Sequence, residues 1–328
     1  MACVDPNPTG GRGYLKRSLV AGGAGLLGSH LCRRLLAEGH RVLCMDNFVS
    51  SSERNVHELL GNPRFELKHH DVVEPFGELG ELEFVFHLAS PASPARFLDL
   101  AEEIARVNSL GTWNLLEVAR NSHARFLLAS TSEVYGNPEV HPQPETYWGN
   151  VNTVGERSCY DESKRFAETL TYIAGRKHGQ STRIVRIFNT YGPRMLSKDG
   201  RAVVEFIVRA LEGKPLIVHG DGSQTRSWCY VDDMVEGMYR AMTYDSAEGR
   251  VINLGNPAEM SILEVAEMIV SLTGARSEIR FAALPENDPM RRCPDISLAR
   301  ELLDWQPRVA LEDGLARTIE WHRAELGS

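Results

Sequence analysis

The stretch Gly22-Gly23-Ala24-Gly25-Leu26-Leu27-Gly28 constrains this chain more than any other. The apolar run Ser18 to Ala21 stops there. A helical pattern with Leu27, Leu31, Leu35 and Leu36 on one side follows, so the spacing predicts strand, glycine turn and helix. Of the evenly spaced Gly22, Gly25 and Gly28, the first permits the tight turn. The second lets backbone approach a pyrophosphate, and the third lets helix pack on strand. The free N–H groups and partial positive charge of the helix start favour phosphate there. The next strand, Arg41 to Met45, ends in Asp46, about 20 residues on, where an acid accepts from ribose hydroxyls. Asn47 and Phe48 follow, with no arginine for a 2′-phosphate, so the expected cofactor is NAD rather than NADP. A loop that is glycine-rich by chance is the alternative; the strand, helix and acid around it argue against that.

Further strands are expected at Phe65–Lys68, Phe84–Leu88, Arg125–Ala129 and Thr182–Ile187. Asp71, after the third strand, reads either as a partner for an adenine amine or as a cap or turn residue. Ala89-Ser90-Pro91, after the fourth, are small enough for a crevice where ligands sit at strand ends. Leu100 to Arg120 reads as one long helix carrying Ile104, Leu110, Trp113, Leu115 and Leu116, serving the core alone or also a dimer seam. Asn137 to Ser158 is irregular and long, the habit of a lid or binding segment. Six strands alternating with helices describe an α/β, Rossmann-like, doubly wound parallel sheet. The expected division is a flexible leader over 1–16, rich in Pro, Gly and Asn, and a cofactor domain over 17–192. Segments at about 229–256 return to that domain, and 193–328 is mainly a smaller substrate lobe.

Tyr160 and Lys164 stand four apart, so on a helix they share one face. A phenol ionises near pH ~10 and needs about 4 kcal/mol of help to act as a base near neutrality. A lysine one turn away, with a cationic nicotinamide ring, is a source of that help. Thr131, Ser132 and Glu133, delivered by the fifth strand, add two hydroxyls and a carboxylate. An exposed helix pair is the other reading of Tyr-x-x-x-Lys taken alone.

In the second half, Val203–Leu211 and Val231–Met242 read as helices, Leu216–Val218 and Val251–Leu254 as strands. A capping box of Ser261 and Glu264 opens another helix, and short helices near Ser297–Leu303 and Leu311–Glu325 close the chain. Arg194, Arg201, Arg226, Arg291 and Arg292 fall in loops or at element ends, the last two in a Pro-rich loop. Together they suggest an anion pocket, while each alone reads as surface charge. The net charge of −8 argues against a general nucleic-acid binder. No run reaches the ~18 apolar residues of a membrane helix. The six cysteines are scattered, pointing to reduced thiols and a cytoplasmic location. Neither they nor the eleven histidines show a metal-binding spacing, so no metal is expected.

From Arg17 on, the chain resembles the extended short-chain dehydrogenase/reductases. Within them, S-T-S-E-V-Y-G (130–136), Y-W-G-N-V-N-T-V-G-E-R-S-C-Y-D-E-S-K-R (147–165), R-I-F-N-T-Y-G-P-R-M (186–195) and D-G-S-Q-T-R (221–226) are similar to the UDP-glucuronate decarboxylase, or UDP-xylose synthase, family. H-L-A-S-P-A-S-P (87–94) fits the same family. The chain departs from it at Ala21, where threonine is common, and Ser163, where glycine is common. Sugar-nucleotide 4,6-dehydratases carry an aspartate where Ser132 stands, and 4-epimerases lack the glutamate at Glu133.

The resemblance implies a carboxy-lyase with recycled NAD. Tyr160, assisted by Thr131 and Lys164, takes the sugar 4-OH proton as C4 is oxidised. The 4-keto uronic acid loses CO2, C5 is protonated and C4 is reduced again. It also implies that Gly25, Leu26, Leu27, Asp46, Asn47, Phe48, Asp71, Val72, Leu88, Ser90, Ala129 and Thr190 line NAD, with Lys164 on the nicotinamide ribose. Glu133 and Arg292 attend the ring, the carboxylate or C5 proton transfer, without a ranking among these. Arg106, Asn189, Arg201 and Arg226 would take the nucleotide sugar. A homodimer through the Leu100 and Tyr160 helices is a further implication. Another sugar-nucleotide epimerase or dehydratase is the alternative activity.

Overall fold

Alternating β-rich runs and amphipathic stretches build the first half. In order they are β1 (Arg17–Ala21), α1 (Leu26–Ala37), β2 (Arg41–Asp46), β3 (Phe65–His69), β4 (Phe84–His87), α2 (Ala101–Arg106), α3 (Thr112–Asn121), β5 (Arg125–Thr131), α4 (Ser158–His178) and β6 (Thr182–Ile187). The computed structural model describes residues 16–283 and 291–327; apart from Lys16, the expected leader lies outside them. The second half supplies β7 (Thr190–Tyr191), α5 (Ala202–Leu211), β8 (Leu216–His219), β9 (Thr225–Ser227), β10 (Cys229–Tyr230), α6 (Val231–Thr243) and β11 (Val251–Leu254). It closes with β12 (Glu259–Ser261), α7 (Ile262–Thr273), β13 (Ile279–Ala282), β14 (Arg291–Arg292), α8 (Ser297–Leu303) and α9 (Leu311–Leu326).

The main sheet has seven strands in the order β11-β6-β5-β4-β1-β2-β3, all pairs parallel, one more than the six expected. The seventh, β11, returns from the second half and aligns Leu254 with Ile187. Both faces are covered, as a parallel sheet requires. Val20, Phe86 and Leu127 pack with α1 and α6 residues such as Leu35 and Met238. Leu19, Val85 and Leu128 pack on the other face with Leu115, Ala167 and Leu170. The strand order reverses between β1 and β4, which opens a crevice at their carboxyl ends.

Two sequence expectations need correcting. The helix over Leu100–Arg120 is not uniform: Val107–Gly111, between α2 and α3, winds as a π segment. Thr112 Oγ1 donates to the Asn108 carbonyl there, and a side chain on Gly111 would run into Val72. Ile104, Leu115 and Leu116 are buried, whereas Leu110 and Trp113 are exposed. Arg291 and Arg292 lie not in a loop but in β14, which pairs in parallel with β9, and Arg226 is the middle residue of β9. Strands of two or three residues carry no readable periodicity, so only the long-range pairing reveals them.

The long connection after β5 is tied down on both sides. Asn150 N donates to the Tyr135 carbonyl at 3.0 Å, and Gln143 N donates to the Cys293 carbonyl at 2.9 Å. The buried Gln143 side chain also accepts from Cys293 N at 3.0 Å. These bonds fasten the segment bearing Arg292 against the end of β5.

Candidate active site

The crevice opens into a cavity of about 650 Å3. Its cofactor side is made of backbone. Gly22 has φ +78°, and a Cβ there would lie 2.6 Å from Ala89 N, so the turn presses directly on the end of β4. A Cβ on Gly28 would fall 2.1 Å from the Gly22 carbonyl oxygen, which is the close contact of helix on turn. Gly25 differs: only that same oxygen lies within 4 Å of an added Cβ, at 3.3 Å. The space above Gly25 belongs to the cavity, and a side chain would occupy it. Asp46 Oδ2 accepts from Ala24 N at 2.9 Å, and Oδ1 accepts from Phe48 N and Ser51 Oγ. Oδ2 keeps a lone pair for a ribose hydroxyl. This cradle fits a dinucleotide.

Asp71 fills the role of a turn residue: Oδ1 accepts from Val73 N, and Oδ2 accepts from Asn47 Nδ2 at 3.0 Å. It still faces the cavity, as do Asn47, Leu26, Leu27, Val72, Leu88, Ser90, Ala129 and Thr190. Phe48 does not line the cavity. Its ring turns to His69, 5.6 Å away, and only its N–H serves the site, through Asp46.

Opposite the glycine turn stand the groups that bear chemistry. Tyr160 and Lys164 share the face of α4 turned to β5, and both are buried. Lys164 Nζ donates to the Ala129 carbonyl at 3.0 Å and lies 5.8 Å from the Tyr160 ring centre. One turn further on, Glu168 accepts from Ser130 Oγ at 2.6 Å and from both Arg186 nitrogens Nε and Nη2. Burial lowers the Lys164 ammonium to about 7, against the opposing field of Glu168. Burial also raises the Tyr160 phenol, which a hydrogen bond with Thr131 and the Arg201 charge counteract. Phe97 stacks on Tyr160 at 4.9 Å.

Glu133, in the short turn after β5, is gripped by two arginines. Arg292 Nη1 donates to Oε1 and Arg157 Nη2 to Oε2, and Arg292 Nη2 donates to the Gly136 carbonyl at 3.0 Å. Burial opposes ionisation of Glu133, but the two guanidinium charges overcome it and hold the carboxyl at about 2. Ser132 is buried beside it and lines the same cavity.

Of the five arginines singled out in the second half, Arg194, Arg201, Arg226 and Arg292 reach the cavity, together with Arg106 at the end of α2 and Asn189 between β6 and β7. Arg201 is paired with Asp199, and Arg194 with Glu58. Arg291 is not brought to the site. It bonds His141 Nε2 and Glu259 at the rim of another cluster. There His141, Glu259 and Cys293 hold their ligand atoms within 4.8 Å of one another, with the Arg291 guanidinium against them. The five described cysteines are free, and no helix among the described residues is long and apolar enough to cross a membrane.

Reading the residues missed Arg157 and Phe97. Arg157 precedes Tyr160 by three, which on a helix shares its face. That was the available signal. Phe97 lies in a turn far from α4 and gave none.

Residues 18–255 match the NAD dependent epimerase/dehydratase family. Among curated relatives, UDP-glucuronic acid decarboxylase 1 of Xenopus tropicalis is 49% identical over 311 residues, covering 95% of this chain and 73% of that protein. UDP-glucuronic acid decarboxylase 5 of Arabidopsis thaliana is 48% identical over 312 residues, 95% of this chain and 90% of that one. Among solved structures, UDP-glucuronic acid 4-epimerase from Bacillus cereus, in complex with UDP-glucuronic acid and NAD, has a TM-score of 0.86 at 29% identity, covering 94% of this chain and 99% of that one. UDP-glucose 4-epimerase from Thermotoga maritima, with UDP-glucose, has a TM-score of 0.87, also at 29% identity and with the same coverage. With a glycine cradle, a Tyr–Lys helix and these relatives, the chain belongs to the NAD dependent epimerase/dehydratase family and sits within it beside the UDP-glucuronic acid decarboxylases.

Proposed function

We propose that this protein decarboxylates UDP-glucuronate to UDP-xylose and CO2 without net redox change. The observation that carries the reading is the meeting of Tyr160, Lys164 and Thr131 with the Glu133–Arg292 pair in one cavity. Held along the Gly22–Gly28 turn and Asp46, NAD would supply a reversible electron-pair acceptor for sugar C4. Tyr160 accepts the proton of the C4 hydroxyl, with the Thr131 hydroxyl favouring the ionised phenol from the same cavity wall. Lys164 uses one donor on the Ala129 carbonyl and keeps two for ribose hydroxyls. Once C4 is a ketone, the substrate is a β-keto acid whose enolate is stabilised by that carbonyl, so CO2 is lost without a further strong base. Glu133 is ionised in the resting site. It therefore acts as an acceptor, and C5 gains its proton through a water that Glu133 orients. Ser132 puts a neutral hydroxyl where an acid would repel the uronate.

On this reading residues 17–192, with the returning segments near 229–256, hold NAD, and 193–328 mainly hold the nucleotide sugar through Arg201 and Arg226, with Arg106 and Asn189 beside them. A homodimer is proposed through the exposed Leu110 of the π segment, Trp113 of α3, and Phe166 and Ile173 of α4; a monomer mass in solution would overturn it. A cytoplasmic location is proposed from the free thiols, and a tagged protein found in a secretory compartment would count against it.

The test is incubation with UDP-glucuronate and catalytic NAD+, following CO2, nucleotide-sugar mass and absorbance of NADH. A UDP-pentose with CO2 and no net NADH is the expected result. A C4 epimer with no CO2 would replace the reading with an epimerase.

A further inference from the structure

The cluster of His141, Glu259 and Cys293 lies outside the cavity: none of the three lines it, and the reaction as outlined uses none of them. Its residues come from three segments, the long connection after β5, strand β12 and the position directly after β14. No motif spacing joins 141, 259 and 293, so the fold alone brings an imidazole, a carboxylate and a thiol together.

The hydrogen bonding there does not close. Glu259 Oε2 lies 2.8 Å from His141 Nε2, and Arg291 Nη2 lies 2.8 Å from that same nitrogen. A ring nitrogen has one in-plane site, so Nε2 either donates to the carboxylate or accepts from the guanidinium. It cannot do both. Arg291 Nη2 is also 3.3 Å from Oε2, so a positive group already touches both acceptors. That group is the loosest of the set. The Arg291 side chain is 59% exposed, whereas those of His141 and Glu259 are 26% and 20% exposed. The other partners are anchored. Glu259 Oε1 accepts from Thr225 Oγ1 at 2.6 Å, which leaves Oε2 to the cluster. Cys293 is buried, its N–H donates to Gln143 at 3.0 Å, and its thiol donates to the Pro257 carbonyl at 3.3 Å.

We propose that His141, Glu259 and Cys293 form a binding site for a transition-metal cation of the zinc class, which takes the place held by the Arg291 guanidinium. One nitrogen, one oxygen and one sulfur donor suit Zn2+ and Co2+; Mg2+ and Ca2+ take oxygen ligands. The three ligand atoms lie within 4.8 Å of one another. Tetrahedral zinc sets such atoms about 3–4 Å apart, so closing the site takes side-chain motion of about 1 Å. The thiol gives its proton to solvent, Arg291 swings into water, and a water completes the fourth position. The cation ties the long connection to β12 and to the residue after β14, and so stabilises the folded chain without entering the cavity.

The test uses the full chain without a tag, stripped with a chelator, then titrated with ZnCl2 by calorimetry and with CoCl2 by absorbance. One Zn2+ per chain, a rise in Tm and a thiolate-to-cobalt charge-transfer band are expected, with no rise in Tm from MgCl2. Cys293→Ser should lose the band and weaken Zn2+ binding by about 10²-fold, and His141→Gln should weaken it by about tenfold or more. Arg291→Ala should bind Zn2+ about threefold to tenfold more tightly, because the competing guanidinium is gone. Absence of Zn2+ binding overturns the proposal, as does a cobalt band that survives in Cys293→Ser, which would put the metal on another of the six cysteines. Unchanged or weaker binding in Arg291→Ala overturns it as well. Should Cys293→Ser fail to fold, His141→Gln and Arg291→Ala decide, since they must move the affinity in opposite directions.

Discussion

The two walls of the cavity are built from different materials. The cofactor wall is backbone: a turn whose spacing is set by Gly22, Gly25 and Gly28, a helix start, and Asp46 tied to Ala24 N. Its groups lie within one βαβ unit. The catalytic wall is charge: Glu133, Arg157 and Arg292 around a buried Tyr160–Lys164 face, gathered from elements up to 159 residues apart. Backbone donors present a fixed surface to a ligand that stays bound through the cycle. Side-chain charges can exchange partners, which suits a substrate whose carboxylate charge passes to an enolate as neutral CO2 leaves and is then quenched by a proton at C5. The difference teaches that one wall should fail through sterics and the other through electrostatics.

The largest effect is expected on the catalytic wall. Tyr160→Phe removes the proton acceptor and should slow formation of bound NADH from UDP-glucuronate by about 10³-fold or more. Single-turnover absorbance measures it, and normal turnover in that variant would remove the phenol from the mechanism. Arg292→Gln should still oxidise C4 but then stall. NADH should accumulate on the enzyme while CO2 release drops by about 10²-fold. A parallel loss of both signals would mean that Arg292 acts on binding rather than after oxidation.

A change on the cofactor wall should look different. Gly28→Ala sets a methyl against the Gly22 carbonyl and should cost about 1–3 kcal/mol of stability. The rise in Tm on adding NAD should shrink with it. A variant with full NAD stabilisation would show that the turn tolerates more space than its contacts allow.

The smallest effect is one of pH. Glu168 lies one turn past Lys164, and its charge opposes the downward push of burial on that ammonium. In Glu168→Gln the lysine should lose its proton at lower pH, moving the alkaline limb of kcat/KM down by about one unit, or ~1.4 kcal/mol. The sign follows from proton counting. A lysine lowered on folding binds fewer protons in the folded than in the unfolded chain between about 7 and its ordinary 10.5, so stability rises with pH across that window. The variant should begin that rise at lower pH. His87 is held near 3 by burial and by the Lys164 charge, so it stays neutral and leaves the limb unaffected. A rate that falls uniformly at all pH values would reduce Glu168 to an anchor for Ser130 and Arg186.

Local chemistry was legible in the sequence by itself. The glycine spacing, the acid ending β2, the four-residue step from Tyr160 to Lys164 and the capping box at Ser261, which forms as expected, are each settled within a few residues. Short-range sterics and helix periodicity decide them before any distant contact forms. The alternation of strands and helices announced the parallel sheet for the same reason. Other features depend on chain segments that meet only after folding. Val251–Leu254 was readable as a strand in a returning segment, but its pairing with β6 was not, and β14 exists only because β9 lies beside it. Phe48 stacks on the His69 ring and does not line the cavity. The choice among the five arginines of the second half was tertiary as well. Arg291 went to His141 and Glu259, and Arg292, its neighbour in a strand that points successive side chains to opposite faces, went to Glu133. A guanidinium carries the same label wherever it falls, and only the fold places a carboxylate in front of it.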